Sequence, residues 1–151
     1  MNEIEAIENE TGSIRKLPLA ASFVALVGVA DSVYLTVKHF TAEPVPCSLI
    51  SGCETVLTSS YAEVMEGVPL AAMGAVAYFI AFSLAILAAY GNRVLWTVFG
   101  IQVVLMSLFT VWLLYLQAYV IGAFCQFCLV SAATTFTMLL IFLASRLTRF
   151  R

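Results

Sequence analysis

Between residues 93 and 146 the chain reads RVLWTVFGIQVVLMSLFTVWLLYLQAYVIGAFCQFCLVSAATTFTMLLIFLASR, and the 52 residues between Arg93 and Arg146 include no Asp, Glu, Lys or Arg. One apolar helix crosses the hydrocarbon core of a bilayer in about 20 residues. The stretch therefore holds two spans and a tight turn, expected at Gln117–Gly122, where Gln117, Tyr119 and Gly122 dilute the apolar run. Working back, the 26 uncharged residues between Glu66 and Arg93 make one further span, and Leu17–Val37 makes another that contains a single acid, Asp31. The expected helices are 17–39, 68–90, 94–117 and 124–146. The fold class is an all-α integral membrane protein, a bundle of four transmembrane helices. Composition agrees: 62% of residues are apolar and 11% charged, against about 25% charged in a soluble domain. There is too little polar surface to cover a water-facing particle or to keep a chain disordered. A net charge of −2 supplies no basic field for phosphate, which excludes a nucleic-acid partner and leaves the lipid bilayer as the surroundings.

Lysine and arginine bias sets the expected orientation. Arg15 and Lys16 precede the first span, Arg93 lies between the second and third, and Arg146, Arg149 and Arg151 follow the fourth. The opposite side carries Glu43, Glu54, Glu63 and Glu66 in the 41–67 loop, with Lys38 and His39 at the exit of the first span as the exceptions. Both termini are thus expected in the cytoplasm of a cell whose inner (plasma) membrane holds the protein, with the 41–67 loop outside. Residues 1–16 are expected to be a mobile cytoplasmic tail, 17–146 the membrane domain and 147–151 a basic cytoplasmic tail. Glu3, Glu5, Glu8 and Glu10 without a base before Arg15 do not make a cleavable signal, whose first segment is positive.

All four cysteines then fall on the outer side, where disulfides persist. Cys47 and Cys53 lie in a loop that has Pro44 and Pro46 before it and Gly52 within it, a backbone able to move. Cys125 and Cys128 lie one helical turn apart at the start of the fourth span, on one face. A thiolate near a helix N-terminus is stabilised by unpaired N–H groups and the macrodipole. Cys125 is best placed to feel this and hence to exchange with a disulfide. Cys128 lies deeper, among Phe124 and Phe127, within reach of a lipid-soluble electron acceptor. Electrons would enter at the loop pair and leave at the helix pair. Three plainer arrangements compete: cysteines as small apolar residues, two structural disulfides, and a four-cysteine zinc site. Against zinc, five residues separate the loop cysteines, wider than the usual zinc hairpin, so no metal is expected.

Four motifs in order resemble prokaryotic homologues of vitamin K epoxide reductase. They are Gly28-Val29-Ala30-Asp31-Ser32-Val33-Tyr34-Leu35-Thr36 in the first span, Ser51 to Tyr61 in the loop, Gly67-Val68-Pro69-Leu70-Ala71-Ala72-Met73-Gly74 at the start of the second, and Phe124-Cys125-Gln126-Phe127-Cys128. The resemblance covers about residues 20–145 and implies a four-helix bundle around a quinone (ubiquinone, menaquinone or a related one). It also implies a short surface helix in the outer loop, at 53–66, capping the quinone pocket. It implies a quinone-linked thiol oxidoreductase that reoxidises a thioredoxin-like, DsbA-like envelope protein and so supports disulfide formation. By position, Cys125 and Cys128 form the redox centre with Cys128 facing the quinone. Cys53 exchanges with Cys125, Cys47 receives electrons from the partner, and Ser59 lies near the quinone. The family's bacterial members often carry a fused thioredoxin-like domain. The chain stops at Arg151, so a separate partner is expected. Ala132 stands where animal members have a Tyr, which favours quinone reduction over epoxide reduction. The DsbB type of oxidase places its CxxC in the first outer loop, the reverse of the order here. From another class, a non-catalytic membrane subunit or metal-binding module held by structural cysteines is the alternative.

Several single residues complete the reading. An intramembrane carboxylate costs roughly 2.5–3.5 kcal/mol on insertion scales. Asp31 is expected near the outer interface, bonded to Ser32, Tyr34 or another helix, with proton donation as the functional alternative. His39 is expected to be interfacial. Gly74, Gly100 and Gly122 are expected to allow close helix approach. Tyr78, Phe79, Trp96 and Trp112 could line a pocket or simply pack, and Gln102 needs a partner inside the bundle.

Overall fold

The computed structural model describes residues 2–47, 52–65 and 67–148, with side chains from Lys16 onward except those of 64 and 65. Arg149 and Arg151 of the expected basic tail, and Ser51 of the loop motif, lie outside the described residues. The elements are α1 (Asn2–Thr41), α2 (Cys53–Leu57), β1 (Glu63–Met65), β2 (Val68–Pro69), α3 (Leu70–Ala89), α4 (Arg93–Tyr115), a π-helical turn that continues α4 (Leu116–Ile121), and α5 (Gln126–Leu147). Four of these helices are long and apolar enough to cross a bilayer, over Lys16–Thr41, Leu70–Ala89, Arg93–Ile121 and Gln126–Leu147. The expected four-helix membrane bundle is the observed one. Large apolar side chains face outward on every span, among them Phe23, Val76, Leu105 and Leu140. Lipid, not water, suits such a surface, because helices satisfy their own backbone polar groups.

Three boundaries differ from expectation. The helix of the first span runs back through the acidic tail to Asn2, with Pro18 inside it. Glutamate and alanine favour helix, and acids suit its positive N-terminal end. The turn after the third span falls later than Gln117, because the helix carries on through the π turn and ends at Gly122, which takes φ +68°. Gly122 thus closes a helix in the left-handed region; a Cβ there would meet nothing within 4 Å, so close approach is not its purpose. The loop helix spans Cys53–Leu57, not 53–66. Thr58 Oγ1 and Ser59 Oγ donate to the carbonyls of Glu54 and Val56 at its end. An antiparallel pair, β1 with β2, follows in place of further helix.

The helices form a ring in which α1 packs on α3 and α5, and α4 on α3 and α5. Small residues set the α1–α3 spacing: Ala21, Ala25, Ala81 and Ala85 are fully buried. Gly28 lies against the ring of Tyr78, and Gly74 faces Ser32. Gly100 of α4 admits the ring of Phe142 from α5. The Tyr78 hydroxyl joins α3 to α5, donating to the Ser131 carbonyl at 2.7 Å with the hydroxyls of Ser131, Thr134 and Thr135 at 2.7–3.0 Å. Gln102 Nε2 donates to the Ala77 carbonyl at 2.8 Å, while its Oε1 is buried without a partner among the described residues. At the opposite end from the loop, Trp96 stacks on Phe99 and donates to Ser145 Oγ at 2.9 Å.

Candidate functional site

The four cysteines meet at one end of the bundle. Cys53, Val56 and Cys125 form a buried cluster against which Cys47, Phe127 and Cys128 pack. Cys47 and Cys53 are joined by a disulfide, with Cα atoms 6.2 Å apart, while Cys125 and Cys128 are free thiols hydrogen-bonded to one another. Cys53 and Cys125 are fully buried, whereas Cys47 is partly exposed on the loop. Water-soluble thiols therefore have access to Cys47 and none to Cys125.

Gly52 is what lets the loop sit so close. A Cβ at this position would fall 2.7 Å from the Phe124 carbonyl oxygen, 3.0 Å from Phe124 N and 3.1 Å from Ala123 Cβ. The backbone just before Cys53 is thereby pressed against the backbone just before Cys125. Gln126 Nε2 adds a second tie, donating to the Pro46 carbonyl at 3.3 Å.

Cys125 occupies the N-cap of α5. The hydrogen bond from Cys128 lowers its thiol from an ordinary 9.0 to about 7, helped by the backbone N–H groups of Cys128 and Phe127 and opposed by burial. The helix N-terminus was the expected cause, and the neighbouring thiol is the larger one. The Cys125 N–H donates to Gln117 Oε1 at 3.1 Å. Gln117 was expected only to dilute an apolar run, yet it is a buried side chain aimed at the cysteine pair. A lone amide inside a span that must find partners was the available signal.

Beside Cys128 a cavity of about 350 Å³ opens between the four spans, walled mostly by apolar side chains such as Leu35, Leu70, Met106 and Leu113. Its polar lining includes Asp31, His39, Ser59, Tyr78, Gln117 and Ser131. This size and mixture suit a small, largely apolar ligand held by a few polar contacts. Ser59 lines the cavity, with its hydroxyl proton donated to the Val56 carbonyl at 2.7 Å. Asp31 departs from expectation: no bond to Ser32 or Tyr34 forms among the described residues, and its Oδ2 is buried without a partner. His39 also lines the cavity, and its Nε2 lies 3.4 Å from Glu63 Oε1 of β1, which ties the loop hairpin to the end of α1. Of the four aromatic candidates, Tyr78 reaches the cavity. Phe79 and Trp112 face outward, and Trp96 packs at the other end.

Two dithiol couples in mutual contact at one end of a four-helix bundle, one of them beside an apolar cavity, can pass electrons by thiol–disulfide exchange. The sequence model of the Vitamin K epoxide reductase family matches residues 19–143, which include all four cysteines and the whole cavity wall. The chain belongs to the vitamin K epoxide reductase family, a family of quinone-linked thiol oxidoreductases.

Proposed function

We propose that the protein reoxidises a separate thioredoxin-like envelope protein and passes the electrons through Cys47–Cys53 and then Cys125–Cys128 to a quinone, so supporting disulfide formation outside the cytoplasm. The observation that carries this reading is the shared cluster of Cys53 and Cys125, both closed to water, with partly exposed Cys47 on one side and the cavity on the other. A soluble dithiol can then reduce the buried pair only through the loop.

The cycle balances as follows. A partner thiolate attacks Cys47 Sγ, breaks the Cys47–Cys53 bond and leaves Cys53 as thiolate. The partner's second thiol displaces Cys47 and departs as a disulfide, so the loop pair holds the two electrons. Cys53 then attacks Cys125 of an oxidised Cys125–Cys128 pair, releasing Cys128 as thiolate. Cys47 closes on Cys53, restoring the loop disulfide and freeing Cys125. The product of these steps, a loop disulfide above a reduced helix pair, is the arrangement of the present structure. A quinone held in the cavity would supply a two-electron, two-proton acceptor: Cys128 would give up the electron pair as Cys125 re-forms the bond, the two protons released in oxidising the dithiol would go to the quinol oxygens, and Ser59, whose hydroxyl now donates to the Val56 carbonyl, would be placed to hold one of those oxygens. For each transfer, about 30 mV of potential difference corresponds to about 1.4 kcal/mol. Arg15, Lys16, Arg93 and Arg146 at the far ends of the spans support a cytoplasmic location for both termini and an outer location for the cysteines.

Purified protein with a reduced thioredoxin-like protein and a soluble quinone analogue tests the reading. Cys125→Ala and Cys128→Ala are each expected to abolish quinone reduction. Cys47→Ala is expected to stop turnover with the protein dithiol and spare turnover with a small permeant dithiol. Loss of both in Cys47→Ala, or labelling of the two cysteine pairs from opposite faces of the membrane, overturns it.

A further inference from the structure

Asp31 is the only aspartate of the chain and, among the described residues, the only carboxyl group on the cavity wall. One turn further along α1 the ring of Tyr34 packs on the ring of Phe127, 5.3 Å between centroids, which holds this part of α1 against the start of α5 and Cys128. The basic side chains that follow on the same helix do not serve the carboxyl. Lys38 Nζ lies 2.7 Å from Glu43 Oε2, and His39 Nε2 lies 3.4 Å from Glu63 Oε1. Two buried side-chain oxygens have no partner among the described residues, Asp31 Oδ2 and Gln102 Oε1, and only the first belongs to a residue of the cavity wall. The other polar groups there are committed to the protein: the hydroxyls of Ser59, Tyr78 and Thr135 donate to backbone carbonyls, and the Gln117 side-chain oxygen accepts from Cys125 N. A buried polar atom left unpaired costs free energy, and an acid inside a span that faces a cavity marks the path of a proton or a substrate.

We propose that Asp31 is the acid–base group of the cavity: its unpartnered oxygen meets an oxygen of the bound acceptor and carries to it one of the two protons that the cysteine pair releases. This rests on the reading of Cys125 and Cys128 as the pair that reduces a quinone, and it names the side chain that moves a proton in that step. The step balances. The electron pair of the dithiol goes to the acceptor as the Cys125–Cys128 bond forms. Asp31 gives its proton to one acceptor oxygen and regains one from the thiol being oxidised, and the second thiol proton goes to the second oxygen. In its acid form the carboxyl has an O–H to donate, and as carboxylate it has an oxygen to receive, so one group serves both halves of the transfer without any net change. The other titratable side chains on the wall are His39 of the same helix, Tyr61 of the loop, Tyr78 of α3 and Cys128 of α5.

Because no other aspartate is present, a heavy-carbon label in the aspartate side-chain carboxyl reports Asp31 alone. The labelled full chain carrying Cys128→Ser, which cannot turn over, is mixed with a short-chain quinone and its infrared difference spectrum is recorded. The labelled carboxyl band is expected to shift on binding. In the chain with all four cysteines, Asp31→Asn keeps the size of the side chain and loses its exchangeable proton. It is expected to slow quinone reduction roughly a hundredfold or more, the worth of one general acid–base group. Oxidation of the protein dithiol by the loop pair, followed in a single turnover without quinone, is expected to match the parent. Formic acid, a small permeant acid, is expected to restore quinone reduction to Asp31→Ala by about tenfold or more, a rescue that replaces a lost proton carrier and that a packing role would not show. A labelled band that stays in place when quinone binds overturns the proposal, and so does Asp31→Asn turning over at the parent's rate or Asp31→Ala that no small acid rescues. The band is read on the native carboxyl, so the test holds even if the variants fail to fold. A parent that reduces no quinone refutes the function proposed above, whereas a parent that reduces quinone with an unmoved band refutes this inference alone.

Discussion

Replacing Gly52 by alanine perturbs one contact and little else. The residue has φ −94° and ψ 1°, which any L-residue adopts, so the substitution adds no backbone strain. The cost lies in the new methyl group, 2.7 Å from the Phe124 carbonyl oxygen and 3.0 Å from Phe124 N. These are backbone atoms and cannot rotate aside. Restoring ordinary contact at 3.4 Å requires the loop to retreat from the start of α5 by about 0.7 Å, and Cys53, the next residue, moves with it. A misplacement of about 1 Å between reacting groups costs about a hundredfold in rate, so a tenfold or greater loss of exchange between Cys53 and Cys125 is expected. The assay is rapid mixing of the protein, with both cysteine pairs oxidised, with an excess of the reduced protein dithiol, followed by acid quench and counting of the thiols that appear at Cys125 and Cys128. Turnover with a small permeant dithiol, which bypasses the loop, is expected to change less than about twofold, since it does not use the contact. Gly52→Ala with parent-like exchange, its loop disulfide formed and its fold intact, would refute the idea that the glycine seats the relay.

Three further outcomes are expected. Cys125 thiolate forms as pH rises through about 7, so its alkylation is expected to level off above that pH and to fall about tenfold per unit below it; removing the Cys128 donor with Cys128→Ala is expected to push the midpoint up towards 9.0, measured by the same pH series. Ser59→Ala is expected to slow quinone reduction about three- to tenfold, the worth of one hydrogen bond, while thiol exchange between the cysteine pairs stays as it was; equal quinone kinetics would remove Ser59 from the site. Gly100→Ala drives a methyl group into the ring of Phe142, an overpacking that costs about 1–3 kcal/mol; a lowered thermal midpoint is expected, with recovery in the double variant that also carries Phe142→Leu.

The sequence by itself determined the number of spans, their approximate limits and the gathering of the cysteines at one end. Charge-free runs bounded by Glu66, Arg93 and Arg146 are long-range constraints that any fold must honour, because a bilayer of fixed thickness turns uninterrupted apolar length directly into crossings. The spacing of Cys125 and Cys128 likewise carried its own geometry, one turn of helix at an N-terminus. What the sequence could not carry was anything that depends on two distant segments meeting. Gln117 reads as a polar blemish until the π turn aims it eight residues ahead at Cys125. Gly52 reads as loop flexibility until Phe124 is placed against it. Asp31 reads as an interfacial acid until its unpartnered oxygen is found on a cavity wall. The loop helix stops at Leu57, short of its expected length, and residues beyond it enter an antiparallel pair, β1 with β2, a pairing that residue order alone does not reveal. Membrane thickness acts on the chain one segment at a time, whereas contact between the loop and the helix start is decided by packing across the bundle, and only the tertiary structure contains it.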